Sequence, residues 1–252
     1  MMAPPMTSAP RVLRYLDNEE LTTGAGTLLV SALAEMQRRQ EYVNLCLSGG
    51  PTVLSALTHF AALARTGAFD ASRLQLWWAS ERFVTTTDPV RNSVQVLSIL
   101  AGAVTLVPSQ IHAMPSRTGK TDPDDAAYAY AKDIGDTQFD ITMLELGDDG
   151  HIASIFPNHP SYAVQSTTTL QAVGVADAPM DPPERVTLTL PAINRSRQVW
   201  MLASGATKQD ALAGSLRGES RYPASQAHGA DWTLWFADQD AAGELPCFRC
   251  DL

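Results

Sequence analysis

Short apolar segments alternate with helical patterns along the first half of the chain, and this alternation is what most constrains the fold. A strand is predicted at residues 42–47, and a helical pattern of apolar residues follows it from Pro51. The same order occurs at residues 11–15, where a strand precedes a helix whose apolar face runs from Leu21 to Met36. Short loops and right-handed crossovers between such units favour parallel strands. The sequence therefore predicts an α/β fold with a doubly wound, mainly parallel sheet flanked by helices.

Further elements continue this pattern. Helices are predicted at residues 126–134 and 208–214, and residues 108–123 are expected to form a surface loop. The other predicted strands are residues 74–78, 139–143, 186–190, 198–202 and 232–236, of which the last three are additional C-terminal strands. No linker or repeat divides the sequence. We therefore expect a single domain over residues 1–252, with residues 1–10 as a loose N-terminal tail.

The composition argues against some classes of partner. The 252 residues carry a formal net charge of −9, and Lys and Arg form no cluster, so a nucleic-acid surface is not expected. The longest apolar stretches are shorter than the ~20 residues that cross a bilayer. The first residues have neither a basic start nor an apolar core of a signal peptide. We expect a cytoplasmic protein that does not bind membranes.

The three cysteines do not form a paired framework. Cys46 lies within a predicted apolar strand and is expected to be a small buried residue. Cys247 and Cys250 have the spacing of a redox motif or of half a zinc site, but no second Cys or His pair lies beside them. The interpretation we favour gives this pair no function.

A histidine follows the strand predicted at residues 139–143. Gly147 and Gly150 bracket a turn that can bring His151 close to a ligand, with Asp149 two residues before it. Ligands of open parallel α/β sheets bind at the carboxyl ends of the strands, so Asp149 and His151 are the first candidates for chemistry. Taken alone, such a histidine is more often structural or solvent-exposed.

Two other strands are followed by residues suited to an anion. Ser48, Gly49 and Gly50 lead from a strand into a helix, and glycine amides together with a helix N-terminus favour negative charge. The alternative is a simple tight turn. Arg82 lies in a polar loop predicted for residues 80–92, where it is either a surface cation or an electrostatic clamp at the same sheet edge.

Together these motifs resemble the 6-phosphogluconolactonase family. The resemblance covers most of the chain, from about residue 45 to about residue 240, and its pieces occur in the family's order. They are Leu-Ser-Gly-Gly at 47–50, Ser-Glu-Arg-Phe-Val at 80–84 with Arg91 and Asn92 after it, Gly-Asp-Asp-Gly-His-Ile-Ala-Ser-Ile-Phe-Pro at 147–157, Pro-Pro-Glu-Arg-Val-Thr-Leu-Thr-Leu-Pro-Ala-Ile-Asn at 182–194, Gly-Ala-Thr-Lys at 205–208 and Pro-Ala-Ser at 223–225. The implied fold is a single α/β domain of the superfamily that includes glucosamine-6-phosphate deaminase and ribose-5-phosphate isomerase.

The resemblance also implies an activity and a mechanism. The family hydrolyses 6-phosphogluconolactone in the oxidative pentose phosphate pathway, with no metal or organic cofactor. His151 would activate water, Asp149 would orient its imidazole, and Arg82 would bind substrate oxygen or offset developing charge. No covalent intermediate is expected, because Ser48 lacks the Gly-x-Ser-x-Gly elbow.

The phosphate would be held by a second group of residues. Lys208 and Arg185 match basic positions of the family, and they would bind phosphate together with the amides of residues 48–50. The partner implied is thus a small sugar-phosphate lactone.

Some positions depart from the family's pattern. Ser80 stands where an acidic residue is usual, Glu145 where a glycine is common, and Pro51 and Val53 replace the usual Ser and Pro. Pro51 removes a backbone N–H from the phosphate loop. Two alternatives therefore stay open: a sugar-phosphate isomerase or deaminase of the same superfamily, and a sugar-phosphate-binding protein without turnover.

Overall fold

Two sheets contain the strands of the protein, in a computed structural model that describes residues 9–246. Most of the predicted N-terminal tail, together with Cys247 and Cys250, lies outside the described residues. The strands in chain order are β1 (Arg11–Tyr15), β2 (Val43–Leu47), β3 (Leu74–Trp78), β4 (Ser80–Arg82), β5 (Ile111–His112), β6 (Ile141–Glu145), β7 (Ala172–Val175), β8 (Arg185–Leu188), β9 (Gln198–Ala203) and β10 (Trp232–Asp238).

The larger sheet has seven strands, and all of its neighbouring strands are parallel. Its order is β1-β10-β9-β6-β2-β3-β5. After β2 the chain adds β3 and β5 on one side, and it then adds β6, β9 and β10 in the opposite direction from the other side of β2. The direction of growth therefore reverses between β2 and β6. This arrangement confirms the predicted doubly wound parallel sheet, and the crevice at such a reversal is where sheets of this type bind ligands.

Helices connect the strands and cover the sheet. They are α1 (Asn18–Gln37), α2 (Pro51–Ala64), α3 (Asn92–Leu100), α4 (Pro123–Ile134), α5 (Tyr162–Thr167), α6 (Leu190–Asn194) and α7 (Gln209–Leu216). Asp17 caps α1 by accepting the Glu20 N–H at 2.9 Å. The first two helices pack closely, because a Cβ added at Gly26 would lie 2.7 Å from the Ala56 carbonyl oxygen and 2.8 Å from the Phe60 nitrogen.

The smaller sheet is antiparallel and has the order β4-β8-β7. It corrects one prediction, because residues 80–82 form a strand and not the start of a polar loop. Its partner strand is more than 100 residues away, with Arg82 opposite Arg185. A three-residue strand has too few positions to show alternation, so its sequence carried no signal. Of the predicted strand at residues 186–190, residues 186–188 belong to this sheet as part of β8, whereas Leu190 begins α6. The two predicted strands after it belong to the large sheet.

Residues 108–123 are also not entirely a surface loop. Two of them form β5, which pairs with β3 at the edge of the large sheet. The His112 ring stacks on Trp77 with 3.7 Å between ring centroids. The helices α3, α5 and α6 and the strand β7 were not predicted either.

The core is apolar along the two central strands. Leu45, Cys46 and Leu47 of β2 are at most 1% exposed, and Met143 and Leu144 of β6 are fully buried. Such uninterrupted burial is typical of parallel strands that are covered on both faces. The prediction that Cys46 is a buried residue is confirmed, and burial raises the pKa of its thiol.

Replacing Gly26 by valine should destabilise the protein, because the new Cβ meets the backbone of α2. We expect the free energy of unfolding to fall by about 2 kcal/mol or more, which is typical of overpacking in a core. Thr27→Val, at an exposed neighbour in the same helix, introduces the same side chain and serves as the control. Equal unfolding midpoints in urea for the two variants would contradict this account of the packing between α1 and α2.

Candidate active site

A cavity of about 380 Å³ opens at the carboxyl ends of β2 and β6, where the strand order reverses. All eight residues predicted for the site line it: Ser48, Gly49, Gly50, Arg82, Asp149, His151, Arg185 and Lys208. The other lining residues are Pro51, Ser80, Asn92, Glu145, Leu146, Gly147, Asp148, Ala153 and Met180. Residues spread over 160 positions of sequence thus meet in one place.

His151 and Asp149 form a hydrogen-bonded pair at the wall of this cavity. His151 Nδ1 lies 2.6 Å from Asp149 Oδ1, and the same oxygen accepts the backbone N–H of His151 at 2.9 Å. Burial acts to raise the pKa of Asp149, but the hydrogen bonds and positive charge of His151 outweigh it and lower that pKa. With Nδ1 on the carboxylate, Nε2 is the ring nitrogen that remains for a ligand.

The loop that carries this pair depends on two glycines. The Gly150 N–H donates to the Gly147 carbonyl at 2.9 Å, and Gly147 N–H donates to the His151 carbonyl at 2.8 Å. A Cβ on Gly147 would lie 2.0 Å from His151 Nδ1, so the imidazole occupies the space that a side chain would need. Gly150 has a φ of +82°, and a Cβ there would lie 2.3 Å from the Tyr222 ring. The Ala224 N–H also donates to the Gly150 carbonyl at 3.1 Å, which fixes the loop from outside.

Arg82 projects into the cavity from β4. Its Nη1 donates to the side-chain oxygen of Asn92, and Asn92 Nδ2 in turn donates to the Ser80 carbonyl at 2.7 Å. Its Nε is buried and has no hydrogen-bond partner in the described part of the chain. Burial lowers the pKa of Arg82, while the charge of Glu81 acts against this. Nη2 also has no hydrogen-bond partner in that part of the chain, and it is the donor that remains for a ligand oxygen.

Glu81 does not restore the carboxylate that the resemblance leads one to expect at Ser80. Its side chain is 1% exposed and accepts the N–H groups of Asn92 at 2.6 Å and Ser93 at 2.9 Å, at the start of α3. It also pairs with Arg91 at 3.6 Å. The Glu81 carboxylate thus binds the N-terminal amides of α3 and does not line the cavity. Ser80 does line it.

Arg185 lies beside Arg82 on the neighbouring strand, and most of its donors are in use. Its Nε donates to the Pro182 carbonyl at 2.6 Å, and its Nη2 donates to the carbonyls of Met180 at 2.9 Å and Asp181 at 3.1 Å. Burial and the nearby charge of Arg82 lower the pKa of Arg185 to about 10. Nη1 is the nitrogen that remains for a ligand, and the rest of the guanidinium holds the loop around Met180.

Lys208 reaches the cavity from the end of a short 3-10 helix (Ala206–Lys208) that directly precedes α7. Its Nζ lies 2.5 Å from Asp148 Oδ1, and the Thr207 hydroxyl donates to the same oxygen at 3.1 Å. The hydrogen bond from Lys208 lowers the pKa of Asp148. This cation is therefore positioned by an exposed carboxylate of the histidine loop.

Residues 48–50 form a glycine turn at the N-terminus of α2, as predicted, but a carboxylate already lies there. Glu145 Oε2 accepts the N–H groups of Thr52 at 2.8 Å and Val53 at 3.1 Å. Burial raises the pKa of Glu145, although these amides and the charge of Lys208 act in the opposite direction. Ser48 Oγ donates to the Gly49 carbonyl at 3.0 Å and accepts the Glu145 N–H at 3.1 Å.

Sequence reasoning did not assign a role to several residues that shape the site. Asn92 and the segment 223–225 were noted only as pieces of a resemblance, whereas Asn92 orients Arg82 and Ala224 anchors the histidine loop. Met180 and Tyr222 carried no signal, because their contacts depend on loops that are distant in sequence. Glu145 was noted as a departure from the family's pattern, but the direction of its side chain is a tertiary property.

The described part of the chain contains neither a metal-binding cluster nor a membrane-spanning helix. Within residues 9–246, no three or more His, Cys, Asp or Glu side chains are grouped so that they could hold a metal ion. Nor does any helix within those bounds have the length and apolar character needed to cross a membrane.

The fold and the cavity place the protein among α/β enzymes whose site lies at a reversal of strand order. The sequence pattern of the family described as "Glucosamine-6-phosphate isomerases/6-phosphogluconolactonase" matches residues 16–235. The chain is 36% identical to the 6-phosphogluconolactonase of Streptomyces coelicolor over 255 residues, which cover 96% of this chain and 97% of that relative. The chain belongs to this family of glucosamine-6-phosphate isomerases and 6-phosphogluconolactonases, which confirms the resemblance found in its motifs.

Solved structures agree on the fold. The 6-phosphogluconolactonase of Thermotoga maritima has a TM-score of 0.80 at 22% identity and covers 91% of this chain and 99% of its own. A monomeric glucosamine-6-phosphate deaminase has a TM-score of 0.78 at 19% identity, with 92% and 99% covered. Because both activities occur on the same fold, the fold alone does not separate lactonase from deaminase.

The pH dependence of folding stability should reveal the raised pKa of Glu145. A carboxyl whose pKa is raised in the folded state binds more protons there than in the unfolded chain. Its contribution to stability therefore declines as the pH rises from the unfolded pKa through the folded one. Glu145→Gln removes this titration. We expect the thermal midpoint of the variant, relative to wild type, to be higher at about pH 8 than at about pH 5. A difference that does not change with pH would contradict the raised pKa.

Proposed function

We propose that this protein hydrolyses 6-phosphoglucono-1,5-lactone to 6-phosphogluconate, the reaction for which its curated relatives are named. The observation that carries the proposal is the His151–Asp149 pair, which leaves Nε2 available in a cavity that also contains Arg82 and Lys208. A lactone is a cyclic ester, and its hydrolysis needs a base for water, a donor for the oxyanion and a group that positions the substrate. The cavity supplies one side chain for each task.

His151 is the proposed general base and acid. Its Nε2 takes a proton from water as the water oxygen bonds to the lactone carbonyl carbon, which forms a tetrahedral intermediate. When the bond from that carbon to the ring oxygen breaks, Nε2 returns the proton to the ring oxygen and an open hydroxy acid results. Ionised Asp149 stabilises the imidazolium between these two steps and fixes the ring's orientation.

Arg82 is the proposed donor to the carbonyl oxygen. Its Nη2 has no hydrogen-bond partner among the described residues, so a substrate oxygen in the cavity can accept from it. Negative charge develops on that oxygen in the tetrahedral intermediate, and a guanidinium stabilises this charge more than it stabilises the neutral carbonyl. Asn92 holds the other side of the guanidinium and so limits its freedom.

Lys208 is the proposed main contact for the phosphoryl group, with the amides of residues 48–50 and Nη1 of Arg185 as further donors. These donors line the same cavity as the histidine pair. A serine nucleophile is not favoured, because Ser48 Oγ donates to the Gly49 carbonyl, accepts the Glu145 N–H and makes no hydrogen bond to a basic side chain in the described chain.

A deaminase or isomerase reaction is less well supported. Moving a proton between carbons would need a carboxylate at the strand end after β3, where Ser80 lines the cavity and Glu81 faces α3. A binding protein without turnover would not need the ordered histidine pair. The cytoplasmic location and the single domain remain predictions.

The direct test is to measure hydrolysis of freshly generated 6-phosphogluconolactone by the purified protein, after subtracting spontaneous hydrolysis. We expect clear acceleration, and 6-phosphogluconate as the product. Binding of the product without any acceleration would show that the site recognises sugar phosphates but does not turn them over.

Removing the proposed base should abolish most of the activity. We expect His151→Ala to lower kcat by about 10²- to 10⁴-fold, the usual range for a general base, with an unchanged far-ultraviolet circular dichroism spectrum. His59→Ala removes a histidine of α2 that lies outside the cavity, and it should keep the wild-type rate. If His151→Ala retained the rate of His59→Ala, the proposed mechanism would be wrong.

Removing the proposed phosphate contact should affect affinity more than turnover. We expect Lys208→Ala to raise KM for the phosphorylated lactone by about tenfold, because a charged hydrogen bond to the phosphoryl group is lost. Lys132→Ala removes an exposed cation of α4 and controls for the overall change in charge. A fall in kcat with no change in KM would count against a phosphate role for Lys208.

A further inference from the structure

Glu145 occupies the place where the helix α2 would otherwise offer its amides to an anion. It is the last residue of β6, and its carboxylate reaches across to the neighbouring strand's helix. The Thr52 and Val53 amides, at the second and third positions of α2, donate to the same carboxylate oxygen at 2.8 and 3.1 Å. Pro51 at the first position has no N–H to donate.

The carboxylate and a phosphoryl group cannot both use this end of the helix. Each needs the same N–H groups, and each carries the charge that the helix N-terminus favours. The carboxylate is also tight against the backbone, since a Cβ on Gly50 would lie 2.3 Å from Glu145 Oε2. Only Gly49 and Gly50 then remain as amide donors of the turn.

The charges that line the cavity also weaken its selection for a dianionic group. Its lining contains the cations Arg82, Arg185 and Lys208, and it contains as many acids, namely Glu145, Asp148 and Asp149. Lys208 is drawn towards Asp148 at 2.5 Å, and most donors of Arg185 are taken by backbone carbonyls. Apart from His151, the formal charges of the lining side chains sum to zero. Little positive charge is left over to select a dianionic group.

We propose that Glu145 is a specificity-determining residue, which occupies the anion-binding end of α2 and thereby relaxes the selection for a phosphoryl group. Lactones of aldonic acids without phosphate are then a second substrate class of the same site. This inference rests on the proposed lactonase function for its kinetic test. It concerns which lactones are accepted, and the roles of His151 and Arg82 are unaffected by it.

The kinetic test compares the two lactones in matched variants. We expect Glu145→Gln to raise the ratio of kcat/KM for 6-phosphogluconolactone to kcat/KM for gluconolactone by about tenfold, because a negative charge beside the phosphoryl group is lost. Glu145→Asp keeps the charge and should keep the ratio closer to that of wild type. Glu41→Gln removes one charge from an exposed residue just before β2, at the amino end of that strand and away from the cavity at its carboxyl end. This variant should leave the ratio unchanged.

A binding test separates this inference from the proposed function. Inorganic phosphate is titrated into wild type, Glu145→Gln and Glu41→Gln by calorimetry, which needs no turnover. We expect phosphate to bind Glu145→Gln about tenfold more tightly than it binds the other two proteins.

The kinetic and the binding test together distinguish a failure of the lactonase proposal from a failure of the role proposed for Glu145. If neither lactone is hydrolysed by wild type but phosphate binds Glu145→Gln more tightly, the lactonase proposal fails and the role of Glu145 stands. If Glu145→Gln binds phosphate no better than wild type, or its lactone ratio stays the same or falls, Glu145 does not set specificity and the inference is overturned.

Discussion

The parallel pairing of β2 with β6 is the constraint on which the site depends. These two strands lie side by side where the strand order reverses. Because they are parallel, the loops that follow them are also neighbours. The Ser48 N–H continues the ladder by donating to the Met143 carbonyl at 2.9 Å, and the Glu145 N–H donates to Ser48 Oγ at 3.1 Å. The glycine turn before α2 and the histidine loop after β6 are thereby held in one register, and every other group of the cavity is positioned against them.

This closeness explains why the loops need glycine. At Gly49 an added Cβ would lie 1.9 Å from Asn92 Oδ1, and at Gly147 it would meet the His151 ring at 2.0 Å. In both cases the space next to the backbone is filled by a side chain that acts in the site. Glycine is therefore required here mainly for close approach, and a positive φ adds to the requirement at Gly50 and Gly150.

Much of this architecture could be predicted from the sequence, and the reason is local. The central strands are mainly apolar, and Ser48, Arg82 and His151 each come soon after such a strand. Their meeting at one end of the sheet therefore follows from the parallel topology. What could not be predicted depends on distant pairing. The three residues of β4 form a strand only because β8 lies beside them, and this pairing brings Arg185 next to Arg82. The contacts of Arg185 with the carbonyls of residues 180–182 likewise exist only in the folded chain.

The charged groups around the cavity differ in whether their charge is already compensated within the protein. Glu81 is buried with Arg91 and with the amides of α3, so its charge is compensated within the protein. Arg82 and Arg185 instead face each other across a strand pair, and their repulsion is one reason why the pKa of Arg185 is lowered. An anion bound between these guanidiniums would remove that repulsion, whereas an anion near Glu145 would meet a like charge. The cavity therefore responds to negative charge with opposite sign at two places: the Arg82 guanidinium favours the charge that develops on the lactone carbonyl oxygen, whereas the Glu145 carboxylate opposes a phosphoryl group at the start of α2.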